Sequence, residues 1–224
     1  MNDVSSREDA SEDVRVNRDR SIVAHHLILP LYGHWAPNDP RGSGSVEFYN
    51  DKLEPLGPIH FGRKPEDEQP SRDELREFHR RFKALLKFPV FWVDQAKRQA
   101  LAEAFADVVR RRGYTCYACA VCSNHAHLVI RIHRDDAIMM WEQFAEASRL
   151  RLRTLADVGP EHPVWADRPY KVFLYTPEDV RTRVNYVQDN PLKEGLARQT
   201  WDFVTAYNNW PLHKSGGRGR ENAP

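Results

Sequence analysis

Two hydrophobic rhythms divide this chain. Ile22 to Tyr32 (IVAHHLILPLY) is an apolar run bounded by polar sequence and predicts a first strand. The stretch after it is dense in Gly, Pro, Asn and Asp up to about Pro70, which predicts a long loop that is either functional or mobile. Ser71-Arg72-Asp73-Glu74 has capping-box spacing, and Leu75, Phe78, Phe82, Leu85 and Leu86 recur at helical intervals until Pro89. A second helix is predicted from Asp94 as N-cap, with Leu101, Phe105, Val108 and Val109 on one stripe, ending at Gly113. Tyr114 to Val121 and His125 to His133 are β-prone runs separated by Cys-Ser-Asn, which predicts two antiparallel strands joined by a tight turn. Asp135 to about Asp157 reads as a third helix. Thr176-Pro177-Glu178-Asp179 supplies an N-cap, an N1 proline and an acidic first turn for a fourth, expected to end around Asn190-Pro191. A strand, two helices, a strand pair and further helices predict an α+β fold: a central antiparallel sheet flanked by helices on one side or both.

The 224 residues, 41% of them hydrophobic, suffice for one good core. We expect a single domain over 21–210 with a loop insertion at 40–70, a disordered N-terminal arm at 1–20 and a flexible basic tail at 211–224. No apolar run approaches the roughly 18 residues of a membrane span, so no membrane partner is expected. The first residues lack the apolar stretch of a secretory signal, and the three cysteines crowd into one segment where they cannot readily pair; both fit a cytoplasmic setting. An iron-sulfur cluster is disfavoured, because the chain has only three thiols. A net charge of +1 gives no general argument for nucleic-acid binding. Local clusters do carry charge: Arg80, Arg81, Lys83 and Lys87 on the first helix, Arg110 to Arg112 on the second, and Arg149, Arg151 and Arg153 on the third. Each is a candidate phosphate contact and equally a solvated helix face. His34, Trp35, Tyr170 and Trp210 are candidates for stacking on unpaired bases, with packing as the rival role.

Chemistry concentrates in two short segments. His125 and His127 in NHAHLVI alternate along a predicted strand, so both imidazoles project from one face at metal-ligand spacing. Two such histidines can also simply hydrogen-bond within a core, so a third group must decide. Tyr186 and Asn190 in NYVQDNP stand four apart on the fourth helix and share a face, a nucleophile and a ligand one turn from each other; alone they read equally as an anchor and a helix cap.

His-hydrophobic-His followed by Tyr-x-x-x-Asn-Pro resembles the single-tyrosine HUH transposases, above all the REP-associated tyrosine transposases of bacteria. NHAHLVI is similar to their PNHVHLL-type motif and YVQDNPLKEGL to their YIxxNPVKAGL-type motif. WADRPYKVF matches their tryptophan-led segment, YGHWAPNDPRGS resembles a first-strand loop found in part of the family, and the likeness spans about Val23 to Trp210. There are three departures: Cys122-Ser123-Asn124 replaces Met-Pro-Asn, Ala147-Ser148-Arg149 occupies a place where a lysine is common, and the 40–70 tract is longer than in compact members. The resemblance implies a ferredoxin-like HUH fold and a transposase that nicks and rejoins single-stranded DNA. It implies Tyr186 as the catalytic nucleophile, forming a 5′-phosphotyrosine, and a Mg²⁺ or Mn²⁺ ion held by His125, His127 and Asn190. The implied partner is single-stranded or hairpin DNA of repetitive or insertion-sequence ends, in the nucleoid; monomer and homodimer are both open. A phenol ionises only near pH 10, so it attacks a phosphodiester when charge and geometry stabilise the developing anion, which is the role of the metal. Histidine-triad nucleotide hydrolases are set aside, since Val129 stands where their third alternating histidine is needed. The non-enzymatic alternative is a domesticated protein that binds DNA hairpins and no longer cleaves.

Overall fold

Among the described residues, four strands, each antiparallel to its neighbours, pair in the order β2-β3-β1-β4. In the computed structural model, residues 21–48, 50–155, 157–167 and 170–211 are described. The elements run β1 (Ala24–Pro30), α1 (Arg72–Ala84), α2 (Gln95–Arg112), β2 (Cys116–Val121), β3 (His125–Arg131), α3 (Ala137–Leu152), β4 (Tyr170–Leu174) and α4 (Pro177–Lys193). Strand order and alternation with helices make this a ferredoxin-like α+β fold with α1 as an extra helix after β1 and α4 as an appended one. The expected arm at 1–20 and the tail beyond Pro211 lie outside the described residues.

The sheet has two covered faces. Leu27, Leu29, Ala126, Leu128 and Ile130 point to one side, where they join Leu101, Phe105 and Val108 of α2 and Met140, Trp141 and Phe144 of α3 in the main core. Alternate residues of the same strands point the other way, and Ala24, Ala118, Ala120, Val129 and Leu174 meet Val180, Val184 and Val187 of α4. Four of those five sheet residues are no larger than valine and three are alanines, so α4 can approach the strands closely. His125 and His127 alternate with the main-core residues of β3 and therefore face α4.

The helix signals lie close to where the sequence puts them. Ser71 and Glu74 form a reciprocal capping box on α1. The Asp94 carboxylate accepts from the Lys97 backbone N–H, and Gly113 ends α2 in the left-handed region at φ 69°. A Cβ at Gly113 meets nothing within 4 Å, so Gly113→Ala should express backbone strain alone: a loss of about 1 kcal/mol. Urea unfolding checks this, with a lower midpoint at unchanged slope.

Two expectations need correction. The third helix stops at Leu152 rather than near Asp157, because the chain turns there to carry Val158, Val164 and Trp165 back into the main core. The 40–70 loop holds two short 3-10 turns, and Leu53 packs with Ala36, Phe78 and Phe82 in a satellite core beneath α1. The fourth helix runs through Pro191 to Lys193. Proline's missing N–H withholds the helical donor from the Val187 carbonyl, and the helix ends where Gly195 takes φ 72°. The extension puts Lys193 and Glu194 one turn past Asn190. β4, an edge strand paired to β1, is a further element with no strong periodicity of its own. No described helix is long and apolar enough to cross a membrane.

Candidate functional site

The histidine face of β3 and the inner face of α4 meet over the end of the sheet where the β2–β3 turn lies. That turn is closed by the Cys122 N–H donating to the His125 carbonyl at 2.8 Å. Antiparallel register sets His127 opposite Ile28 and His26 opposite Val129, so His26 and His127 are diagonal neighbours on one face. Their rings meet, with His26 Nε2 and His127 Nδ1 2.9 Å apart. His125 and His127 stand edge to face with ring centroids 4.5 Å apart.

From α4, Tyr186 sets its ring edge-on to both His127 (5.7 Å between centroids) and His26 (6.2 Å) and stays 39% exposed. One turn on, Asn190 Oδ1 lies 3.2 Å from His125 Nε2 and accepts from Cys122 Sγ at 3.1 Å. Arg183 and Lys193 both reach over the Tyr186 ring, 5.4 and 4.8 Å from its centroid. Helical spacing of three and four aligns Arg183, Tyr186, Asn190, Lys193 and Glu194 on one stripe. The Glu194 carboxylate accepts from the Ser123 N–H and hydroxyl at 3.1 and 3.3 Å and lies 3.7 Å from His125 Nδ1.

Burial sets the protonation of this cluster. It is the main cause holding His127 down to about 2 and His26 down to about 3; for His26 the Arg183 and His125 charges add to it, and for His127 those of His125, His26 and Arg183. His125 is also lowered by burial, opposed by the Glu194 charge and the Asn190 contact. All three imidazoles are therefore neutral at physiological pH and offer lone pairs rather than charges. Burial, helped by the Glu194 charge, pushes the Cys122 thiol up to about 12.

The site fits a metal ion on its own atoms. Among the described residues His127 Nε2 is buried with no hydrogen-bond partner, which an ion would supply. If His127 Nδ1–H donates to His26, that nitrogen carries a lone pair, and His125 and Asn190 supply the neighbouring donors. A second gathering shares His125: Cys122 Sγ, a His125 ring nitrogen and a Glu194 carboxylate oxygen lie within 4.8 Å of one another.

Of the residues singled out from sequence, His125, His127, Tyr186 and Asn190 come together. The basic clusters do not join them. Arg110, Arg111, Arg149, Arg151 and Arg153 sit on α2, on α3 and just after it, in the layer across the sheet, and Arg80, Arg81 and Lys83 sit on α1. Most are engaged locally: Arg80 with Glu77, Arg81 with the Pro55 carbonyl, Arg110 and Arg111 with Asp107, Arg149 with Glu146, Arg151 with Glu103, and Arg153 with the His162 carbonyl. Sequence reading passed over His26, Arg183, Lys193 and Glu194, and weighed Cys122 only as one of three thiols for an iron-sulfur cluster. The α4 residues were findable, standing three, seven and eight positions from Tyr186; His26 was not, since only register brings β1 beside β3. Two tryptophans flank the cluster: Trp35, 55% exposed with its ring 6.4 Å from that of His125, and Trp92, 54% exposed against His34 at 4.3 Å.

No family model matches the chain, and no curated protein does. Among solved structures, a REP-associated tyrosine transposase bound to a REP hairpin is similar over 80% of this chain and 73% of that one, at 15% sequence identity and a TM-score of 0.43.

Proposed function

We propose that the protein is a metal-dependent, single-tyrosine DNA endonuclease and strand-transferase of transposase type, with Tyr186 as nucleophile. The observation that carries this reading is Tyr186, solvent-accessible and edge-on to His127, with Asn190 one turn away beside His125 and two cations over its ring. The motif resemblance points the same way and suggests single-stranded or hairpin DNA as substrate. His125, His127 and Asn190 would hold the ion, Mg²⁺ or Mn²⁺ by the resemblance, and when bound it polarises the scissile phosphate.

The chain's own groups do the rest. Tyr186 Oη gives up its proton to solvent and forms the new bond to phosphorus, the bond to the 3′ oxygen breaks, and that oxygen takes a proton from solvent and leaves as the 3′ hydroxyl. Arg183 and Lys193, 5.4 and 4.8 Å from the Tyr186 ring centroid, attract the phosphate to the nucleophile. His26 holds the His127 ring in place. Trp35 and Trp92 offer exposed π-faces to unpaired bases beside the phosphate. The phosphotyrosine conserves the bond energy, so attack by a 3′ hydroxyl reseals the strand without ATP.

The test incubates the protein with labelled single-stranded DNA from the flanks of its own gene and Mn²⁺, scored for an SDS-resistant adduct. An adduct that EDTA abolishes is the expected result. Retardation on a native gel with no adduct from any flanking strand would leave a hairpin-binding protein that does not cleave.

A further inference from the structure

Cys122 sits beside the ligands proposed above, 3.1 Å from Asn190 Oδ1, and the nuclease reading gives it no task. We propose that Cys122, His125 and Glu194 form a second metal site, selective for a thiophilic divalent ion of the Zn²⁺ kind, which by occupying His125 withholds it from the cleavage site. The ion-binding half stands on the geometry alone; the regulatory half rests on the proposed nuclease activity.

Three donor types converge from two elements. Cys122 and His125 bracket the β2–β3 turn, and the hydrogen bond between their backbones fixes their spacing. Glu194 comes from the end of α4, anchored to the same turn by Ser123. The three ligand atoms lie within 4.8 Å of one another. In a tetrahedral zinc site neighbouring ligand atoms are roughly 3.5 Å apart, so a contraction of about 1 Å completes it. The Glu194 side chain, 26% exposed and carried on two methylenes, can supply most of that movement by releasing one of its two Ser123 contacts. Asn190 Oδ1 already lies 3.1 Å from Cys122 Sγ and 3.2 Å from His125 Nε2, in reach of a fourth position.

The donor set decides which ion enters. Thiolate with imidazole and carboxylate suits Zn²⁺, whereas Mg²⁺ favours oxygen and gains nothing from sulfur. Binding forms the sulfur–metal bond and releases the Cys122 thiol proton to solvent, with no change of oxidation state. Cys116 and Cys119 belong to the main core and stand outside this cluster. Asn124 Oδ1 lies 2.6 Å from His125 Nδ1 and accepts its proton in a hydrogen bond, which leaves Nε2, beside Asn190 Oδ1, as the one lone pair of the ring; both sets need it, so a thiophilic ion and a hard one exclude each other.

Co²⁺ titrated into the full chain as a spectroscopic stand-in for Zn²⁺ should give thiolate-to-cobalt charge-transfer absorption saturating at one equivalent. Cys122→Ser should abolish the band and weaken Zn²⁺ binding, read by chelator competition, about 100-fold, one ligand's share of a four-ligand site. Cys119→Ser should leave the band intact. A thermal unfolding midpoint near wild type verifies that Cys122→Ser is folded; if it is not, Glu194→Gln carries the test through weakened Zn²⁺ binding with the band retained. No band in the wild type, a band that survives Cys122→Ser, or Zn²⁺ binding that Glu194→Gln leaves unweakened overturns the site. Zn²⁺ should also suppress adduct formation supported by Mn²⁺, and a bound ion without suppression overturns the regulatory half. An adduct without a cobalt band sinks this inference and spares the nuclease reading; a band without any adduct does the reverse.

Discussion

Tyr186→Phe should lower strand cleavage at least ~10³-fold and abolish the covalent adduct, because no other atom of that side chain can bond to phosphorus. The phenol is 39% exposed, so its removal should change unfolding free energy by less than ~1 kcal/mol. DNA binding should persist, since Arg183 and Lys193 remain to hold the phosphate. The measurement pairs a denaturing-gel cleavage assay with a native-gel shift on the same labelled strand. Loss of both activities together would point to a binding rather than a chemical role. Undiminished adduct would move the nucleophile elsewhere, and Tyr170, 53% exposed and on the same sheet face through its pairing with Ile28, is where to look next.

The metal-free protein should lose on the order of 3 kcal/mol of stability between about pH 7 and about pH 5. Folding holds His26 at about 3 and His127 at about 2, below the ordinary value of 6.5. Below pH 6.5 the unfolded chain therefore takes up protons that the folded chain refuses. The stability these groups contribute is fully present above pH 6.5 and drains away as the pH falls toward their folded values. Each pH unit in that window costs about 1.4 kcal/mol per independent histidine, less for a pair sharing one hydrogen bond. His25, His34 and His125, also lowered by burial, act in the same direction. Urea unfolding in EDTA at the two pH values measures the difference, and His127→Asn should remove part of the slope. A flat profile would mean that the paired imidazoles are not held neutral.

Much of the frame was legible because its signals are local. Ser71 with Glu74, Asp94 with Gly113, and Thr176 with Pro177 mark helix ends through contacts made within four or five residues, so they read the same in sequence and in space. The alternation of His125 and His127 against Ala126, Leu128 and Ile130 likewise follows from the strand's two-residue period. Where a local rule competed with packing, packing prevailed. Pro191 signalled a helix end, yet the helix continued to Lys193, and Lys193 with its capping neighbour Glu194 bears directly on the site.

What the sequence by itself determined is therefore the α+β class, the order of the helices and the β2–β3 hairpin, and two chemical pairs: His125 with His127, and Tyr186 with Asn190. Each pair is a matter of backbone period, two for a strand and 3.6 for a helix. That the pairs face each other was decided only by tertiary structure, through the register of β1 against β3 and the close seating of α4 on alanines. The same packing added His26, Arg183, Lys193 and Glu194 to the cluster and left the arginines of α2 and α3 across the sheet. Contacts such as His26 with His127, 101 positions apart along the chain, have no local signature, because burial and strand pairing create them only once the whole domain has closed.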